Sequence, residues 1–288
     1  MKPAPFAYAR PTTVDEVCAL LTQHGEDAKL LAGGQSLMAT LNMRLSAPEL
    51  LIDINRIDEL AGISLDGGVL RIGAMTRHVE LESSPLVAEH APLIAQAMPH
   101  IAHAAIRNRG TFGGSIAFAD PAAELPACAV ALGASFILRS ADGTRNVAAD
   151  DFFRGLYDTE LGANEMLTSI DIPVIAPGYR SAFMELARRH GDYAMVGIVV
   201  HARLVDGAVG DAMLVYFAAG ERPVVARAAA AAIDGKAPSE ETFEAAAAAL
   251  DQDLDPPADL NADPATRLHL ARVLTRRALA QWAEEEKP

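Results

Sequence analysis

The apolar positions of the chain switch between a helical spacing and short continuous runs, and the switches mark its elements. Val17, Leu20 and Leu21 share one helical face behind Thr13, which forms a capping box with Glu16, and Gly25 stops that helix. Residues 29–32 and 50–54 are largely apolar runs that predict buried strands, with a helix-compatible stretch over 36–44 between them. Residues 69–73 predict another strand, and over 85–97 Leu86, Val87, Leu93, Ile94 and Ala97 recur at helical spacing. Asp120 and Pro121 predict a helix to about Leu132, with the aspartate as cap and proline at its first position. Strand signals follow at 134–139, 145–148 and 166–172. Pro173 and Pro177-Gly178 then form the clearest breaker cluster, which sets the expected domain boundary: 1–176 before it and 177–288 after it.

Past the boundary, 181–187, 197–205 and 212–219 predict a three-stranded antiparallel meander joined by short glycine-containing turns. Alanine-rich helices are expected at 224–233 and 242–250, the second opened by Ser239, and Asp263-Pro264 caps a last helix. On that helix Leu268, Ala271, Leu274, Ala278 and Trp282 form one stripe, expected to pack into the core.

A formal charge of −14, with no run of basic residues, excludes nucleic acid as the expected partner. Only Cys18 and Cys128 are present, so the chain holds neither a disulfide framework nor the four thiolates of an iron–sulfur cluster. The opening Met-Lys-Pro-Ala-Pro-Phe has no signal-peptide core and no later stretch is long and apolar enough for a membrane span, so a soluble, cytoplasmic protein is expected.

Two double-glycine turns carry the chemistry: Ala32-Gly33-Gly34-Gln35-Ser36 and Thr111-Phe112-Gly113-Gly114-Ser115. Glycine admits positive φ and close backbone approach, and adjacent amides aimed one way bind phosphate oxygens, so the pair reads as two halves of one diphosphate cradle. The first turn also precedes a helix start, where the macrodipole favours an anion. Neither turn has the Gly-x-Gly-x-x-Gly fingerprint, Asp53 alone is poor support for ribose reading, and no Gly-Lys-Ser/Thr or Gly-x-Ser-x-Gly occurs. His100 and His103 lack companions for a metal site. Asp120 and Glu124, one helical turn apart, suit either acid–base work or simple first-turn electrostatics.

Ala-Gly-Gly-Gln-Ser-Leu, the 44–57 stretch Arg-Leu-Ser-Ala-Pro-Glu-Leu-Leu-Ile-Asp-Ile-Asn-Arg-Ile, and Ile-Arg-Asn-Arg-Gly-Thr-Phe-Gly-Gly-Ser-Ile-Ala-Phe-Ala-Asp-Pro-Ala-Ala-Glu-Leu-Pro-Ala together resemble the FAD-binding medium subunits of molybdenum hydroxylases, of the carbon monoxide dehydrogenase and xanthine dehydrogenase type. The resemblance covers nearly the whole chain. It implies an α+β protein whose FAD-binding domain has the p-cresol methylhydroxylase/vanillyl alcohol oxidase fold, with two α/β subdomains (about 1–56 and 57–176) clasping the cofactor. A small C-terminal flavoprotein domain follows.

Carried over by position, the resemblance puts Lys29, Leu30, Leu31, Ala32, Gly33, Gly34, Gln35, Ser36 and Leu37 on the diphosphate and adenosine side, with the amides of Gly33 to Ser36 on phosphate oxygens. Thr111, Gly114 and Ser115 meet them from the second subdomain, and Ala102, Gly110 and Ala117 join the cofactor set. Glu124 holds a ribityl or ribose hydroxyl, Ala119 and Asp120 lie beside the flavin chain, Leu161 makes an apolar contact, and Tyr193 covers a face of the isoalloxazine. Phe118 departs from the family, which commonly has histidine there.

The implied role is electron transfer without a general base. A molybdopterin large subunit and an iron–sulfur small subunit, arranged as a dimer of heterotrimers, deliver electrons to FAD on this chain, and an external acceptor removes them. The rival readings are a free-standing FAD-dependent oxidase or dehydrogenase of the same fold, and a non-catalytic subunit that has lost the flavin.

Overall fold

A computed structural model describes residues 2–284. Its first layer is an all-parallel three-stranded sheet in which Leu50–Asp53 lies between Ala7–Ala9 and Ala28–Leu31. The helix Val14–His24 covers it, burying Val14, Val17, Cys18 and Leu21 against Ile52, Ile54 and Leu60. Thr13 Oγ1 accepts from the Glu16 amide at 3.2 Å as expected, but the Glu16 carboxylate returns to the amide of Thr12, one residue before the expected partner. Lys29 is exposed and Leu30 and Leu31 are half-buried, because this strand lies at the sheet edge beside the cavity described below.

The second layer is a five-stranded antiparallel sheet in the order Ile63–Asp66, Val69–Gly73, Met166–Pro173, Ser135–Ser140, Gly143–Ala148. A helical excursion over 78–131 departs from it and returns. Within that excursion the expected helix over 85–97 is two, Pro85–His90 and Pro92–Ala97, because Pro92 has no N–H to continue the first and starts the second. The helix expected from Asp120 begins at Glu124 instead: the Asp120 carboxylate accepts from the Ala122 amide at 2.9 Å and holds residues 120–123 as a turn.

The C-terminal sheet has four strands where three were expected: Tyr179–Ala187, Ala194–Val205, Ala208–Phe217 and the two-residue Val224–Val225. The last takes the start of a segment expected to be helical, and the helix begins at Arg227. Period-two alternation divides Ala194–Val205 between two cores. Val196, Ile198, Val200 and Ala202 face the helices Arg227–Ile233, Glu240–Ala249 and Pro264–Glu284, while Val199 packs with Phe183 and Phe217 into the core of the first 175 residues; a register shift, pairing Leu186 with Val196 but Ala187 with Ala194, turns Ala194 to that side as well. Ala271, Leu274, Ala278 and Trp282 are buried as the stripe predicted, and Trp282 Nε1 donates to the Ala202 carbonyl at 3.3 Å.

Candidate cofactor site

The two double-glycine turns meet across a cleft with a cavity of about 1270 Å³. A β-carbon added to Gly33 would lie 2.3 Å from the Arg109 carbonyl oxygen, and one added to Gly114 would come within 3.7 Å of the Ala32 Cβ. The first turn leaves Ala28–Leu31, reverses at Gly34 with φ +72°, and enters the helix Leu37–Asn42. Asn55 fixes its base by donating Nδ2 to the Ala32 carbonyl at 2.9 Å and the Leu31 carbonyl at 3.2 Å. Arg77 bonds Asn55 Oδ1 at 2.6 Å and also the Arg109 carbonyl, so one guanidinium ties the base of the first turn to the approach of the second.

The two turns differ in what their amides do. The consecutive N–H groups of Gly33, Gly34, Gln35, Ser36 and Leu37 find no acceptor among the described residues and border the cavity. This is the donor set a diphosphate needs. In the second turn Phe112 donates to the Thr76 carbonyl at 3.0 Å, Gly113 to the Ala74 carbonyl at 2.9 Å, Gly114 to Thr111 Oγ1 at 3.1 Å and Ser115 to the Thr111 carbonyl at 3.1 Å. The expectation of two matching amide cradles is therefore corrected. Thr111 caps the helix Phe112–Phe118 with its own hydroxyl, leaving the second turn to present the Ser115 side chain and glycine surface.

Of the residues singled out in the sequence, Lys29, Leu30, Ala32, Gly33, Gly34, Gln35, Ser36, Leu37, Ala102, Gly110, Thr111, Gly114, Ser115, Ala117, Asp120, Glu124, Leu161 and Tyr193 line this one cavity. Leu31 and Ala119 do not. The Leu31 side chain tucks beneath Gly34, with Cδ1 3.1 Å from the position of an added β-carbon there. Ala119 is buried and ends the helix Phe112–Phe118 in the left-handed conformation, φ +51°. Ala102 and Tyr157, both on the wall, also have positive φ, +47° and +55°. Asp53 is not part of the lining: its carboxylate accepts from Tyr8, from the Asn55 amide and side chain, and pairs with Arg10 at 3.3 Å.

Sequence reasoning missed Tyr157 and His78. Tyr157 sits in the tight turn between Phe153–Gly155 and Asp158–Thr159, its ring 5.1 Å from that of Phe118 and its hydroxyl 3.5 Å from Asp120. His78 is buried on the wall, and burial lowers its imidazole to about 4, so it is neutral. Its Nε2 lies 3.0 Å from the Thr111 carbonyl, which can only accept, so Nε2 carries the proton and the partnerless Nδ1 is an acceptor. Glu124 is 8% exposed, and burial pushes its carboxyl up to about 8, with Glu185 and Asp120 adding repulsion. His100 pairs instead with Glu185, and among the described residues no group of His, Cys, Asp and Glu side chains is arranged to hold a metal.

Residues 4–175 match the FAD binding domain in molybdopterin dehydrogenase, and residues 181–282 match the CO dehydrogenase flavoprotein C-terminal domain. This chain belongs to the FAD-binding medium subunits of the molybdenum hydroxylases. It is 40% identical to the carbon monoxide dehydrogenase medium chain of Hydrogenophaga pseudoflava, over 98% of this chain and 99% of that one. It is 37% identical to the caffeine dehydrogenase subunit beta of Pseudomonas sp. strain CBB1, over 99% and 97% respectively. The solved carbon monoxide dehydrogenase from Hydrogenophaga pseudoflava superposes with a TM-score of 0.95 at 42% identity, covering 98% of both chains. The run of free amides and the glycine surfaces of the cleft fit a diphosphate such as that of FAD.

Proposed function

We propose that this medium subunit holds FAD between residues 29–37 and 102–124, with the diphosphate on the free amides of Gly33 to Leu37. That run of unpaired, cavity-facing donors carries the reading. Bound there, FAD supplies a redox centre that takes electrons from the iron–sulfur clusters of a partner subunit and yields them to an external acceptor. The chain's residues bind and position it. Gln35 braces the first turn by donating Nε2 to the Gly33 carbonyl at 3.0 Å, Arg77 holds the two turns in register, and Ser115 and Glu124 offer polar contacts from the far wall. Tyr193, exposed on the cavity lining, would cover the flavin ring in this reading.

The rest of the assembly follows from what the chain lacks. With two cysteines it cannot ligate a cluster, which supports an iron–sulfur small subunit and a molybdopterin large subunit in a dimer of heterotrimers. Both thiols are free and no helix among the described residues is long and apolar enough to cross a membrane, which supports a cytoplasmic setting. The domains divide at about residue 176, between the five-stranded and four-stranded sheets. Similar relatives are named for carbon monoxide and for caffeine at nearly equal identity, so the substrate is set outside this chain.

Size exclusion of the protein from its native source tests the reading. The expected result is co-elution with iron–sulfur and molybdopterin subunits and a flavin absorbance near stoichiometric. A chain that runs alone with FAD and oxidises a small organic substrate would establish the free-standing oxidase instead.

A further inference from the structure

The third strand of the C-terminal sheet ends on a residue that joins the last helix to the cofactor cavity. Ala218 follows Ala208–Phe217 beyond the final ladder pair, Gly197 with Phe217, and with φ +56° it directs its two backbone groups to other elements. Its amide donates to the Pro121 carbonyl at 2.7 Å, and its carbonyl accepts from Arg267 Nη1 at 2.5 Å. Pro121 belongs to the turn 120–123, which the Asp120 carboxylate closes on the Ala122 amide, and Asp120, Ala123 and Glu124 line the cavity. The helix Pro264–Glu284 therefore reaches the cavity wall through one alanine.

Arg267 is the one lysine or arginine buried among the described residues, at 3% exposure. Taking a guanidinium out of water is costly unless it is paired, and an apolar side chain would fill the same space without that cost. What the arginine adds is a fixed donor. Its Nη2 lies 2.8 Å from the Asp259 carboxylate, which the amides of Asn261 and Ala262 hold in turn at 2.8 and 3.0 Å. The same loop also supports the neighbouring wall: Arg222 Nη1 donates at 2.9 Å to the carbonyl of Phe153, the first residue of the hairpin that carries Tyr157. The Tyr157 hydroxyl is 3.5 Å from Asp120, so both supports end on one pair of cavity residues.

We propose that Arg267 is a positioning residue for the cofactor site: acting through Ala218, it sets the turn 120–124 and with it the place of the Asp120 and Glu124 carboxyl groups against bound FAD. The proposal rests on the cofactor reading above. Its path is two hydrogen bonds long, guanidinium to carbonyl and amide to carbonyl, both made by the same residue. Without the guanidinium the buried Ala218 carbonyl loses its donor, and the residue is released from a positive φ that alanine rarely adopts. The bond to Pro121 then loosens, and the cavity turn moves with it.

The test compares holo complexes carrying Arg267→Met, which keeps an apolar stem without donors, and Arg267→Lys, which keeps a charged donor. FAD affinity, the visible circular dichroism of the bound flavin and the thermal midpoint are measured for each. Arg267→Met is expected to weaken FAD binding by about fivefold and to alter the flavin dichroism, and Arg267→Lys to recover most of both. A lowered thermal midpoint with wild-type affinity and dichroism would mark a merely structural arginine and overturn the proposal, leaving the cofactor reading intact. Should Arg267→Met fail to assemble, Asp259→Asn decides, since it loosens the guanidinium from an exposed position. A smaller shift of affinity and dichroism in the same direction supports the proposal, and wild-type values overturn it. A wild-type complex without flavin would bring down the cofactor reading and this proposal with it.

Discussion

Gly33 and Arg109 are pressed together so closely that the space for a side chain on one is occupied by the carbonyl oxygen of the other, 2.3 Å from an ideal β-carbon. The first glycine is therefore demanded by the contact between the two turns, whereas Gly34, at φ +72°, is demanded by the turn itself. Gly33→Ala is expected to force the two turns apart, costing roughly 1–3 kcal/mol as overpacking does. The purified variant should show a lowered thermal midpoint together with a reduced ratio of flavin to protein absorbance.

Asn55 and Arg77 act as one clamp on the cradle, since the amide of the first bonds the Leu31 and Ala32 carbonyls while its oxygen receives the guanidinium of the second. Asn55→Ala strands those carbonyls and is expected to cost about 1–3 kcal/mol. Arg77→Ala should weaken FAD retention as well. In the double variant the losses should be less than additive, because either change opens the same clamp. Denaturant titration and fluorescence of released FAD measure both.

Glu124 gives stability a pH dependence of known sign. The carboxyl ionises near 4.5 when unfolded and near 8 in the fold, so across that window the native state keeps a proton that the unfolded chain has lost. Stability should decline as pH rises through the window and level off above it, by a few kcal/mol in order of magnitude, and Glu124→Gln should remove the decline. His78 and His201 slope the other way. Burial lowers both to about 4, so stability falls as pH drops from 6.5 towards 4. Urea unfolding midpoints from pH 4 to 9 for wild type and Glu124→Gln separate the two contributions.

The first turn's amides would hold FAD by hydrogen bonds, and the cofactor is expected to be noncovalent even though His78, His103, Tyr157 and Tyr193 line the cavity. Acid precipitation should leave the yellow colour in the supernatant; a yellow pellet would contradict this.

Much of this was legible in the chain because the signals were local. The Thr13 cap, the strand at 50–53 and the apolar stripe ending at Trp282 are each decided by residues within a few positions of one another. The misreadings came from side chains competing for the backbone. Asp120 spends its carboxylate on Ala122 and delays a helix, and Pro92 splits another. Thr111 caps the second turn and uses the amide expected to meet phosphate, a role its position three residues before Gly114 was enough to suggest. Tyr157 and His78 carried no signal at all, since only the tertiary fold brings residues 78, 118 and 157 to one wall.

Both cysteines are enclosed, Cys18 under the first helix and Cys128 in the central core, and burial raises both thiols. A subunit built to carry electrons in the presence of oxidants thus offers them no thiolate. Among the described residues the most exposed methionines are Met38 and Met43, on and just past the helix that follows the cradle, 37% and 50% exposed. Ageing in air should register there, as sulfoxides beside the cofactor rather than as disulfide-linked aggregates, and protection will come from methionine sulfoxide reductase rather than from added thiol.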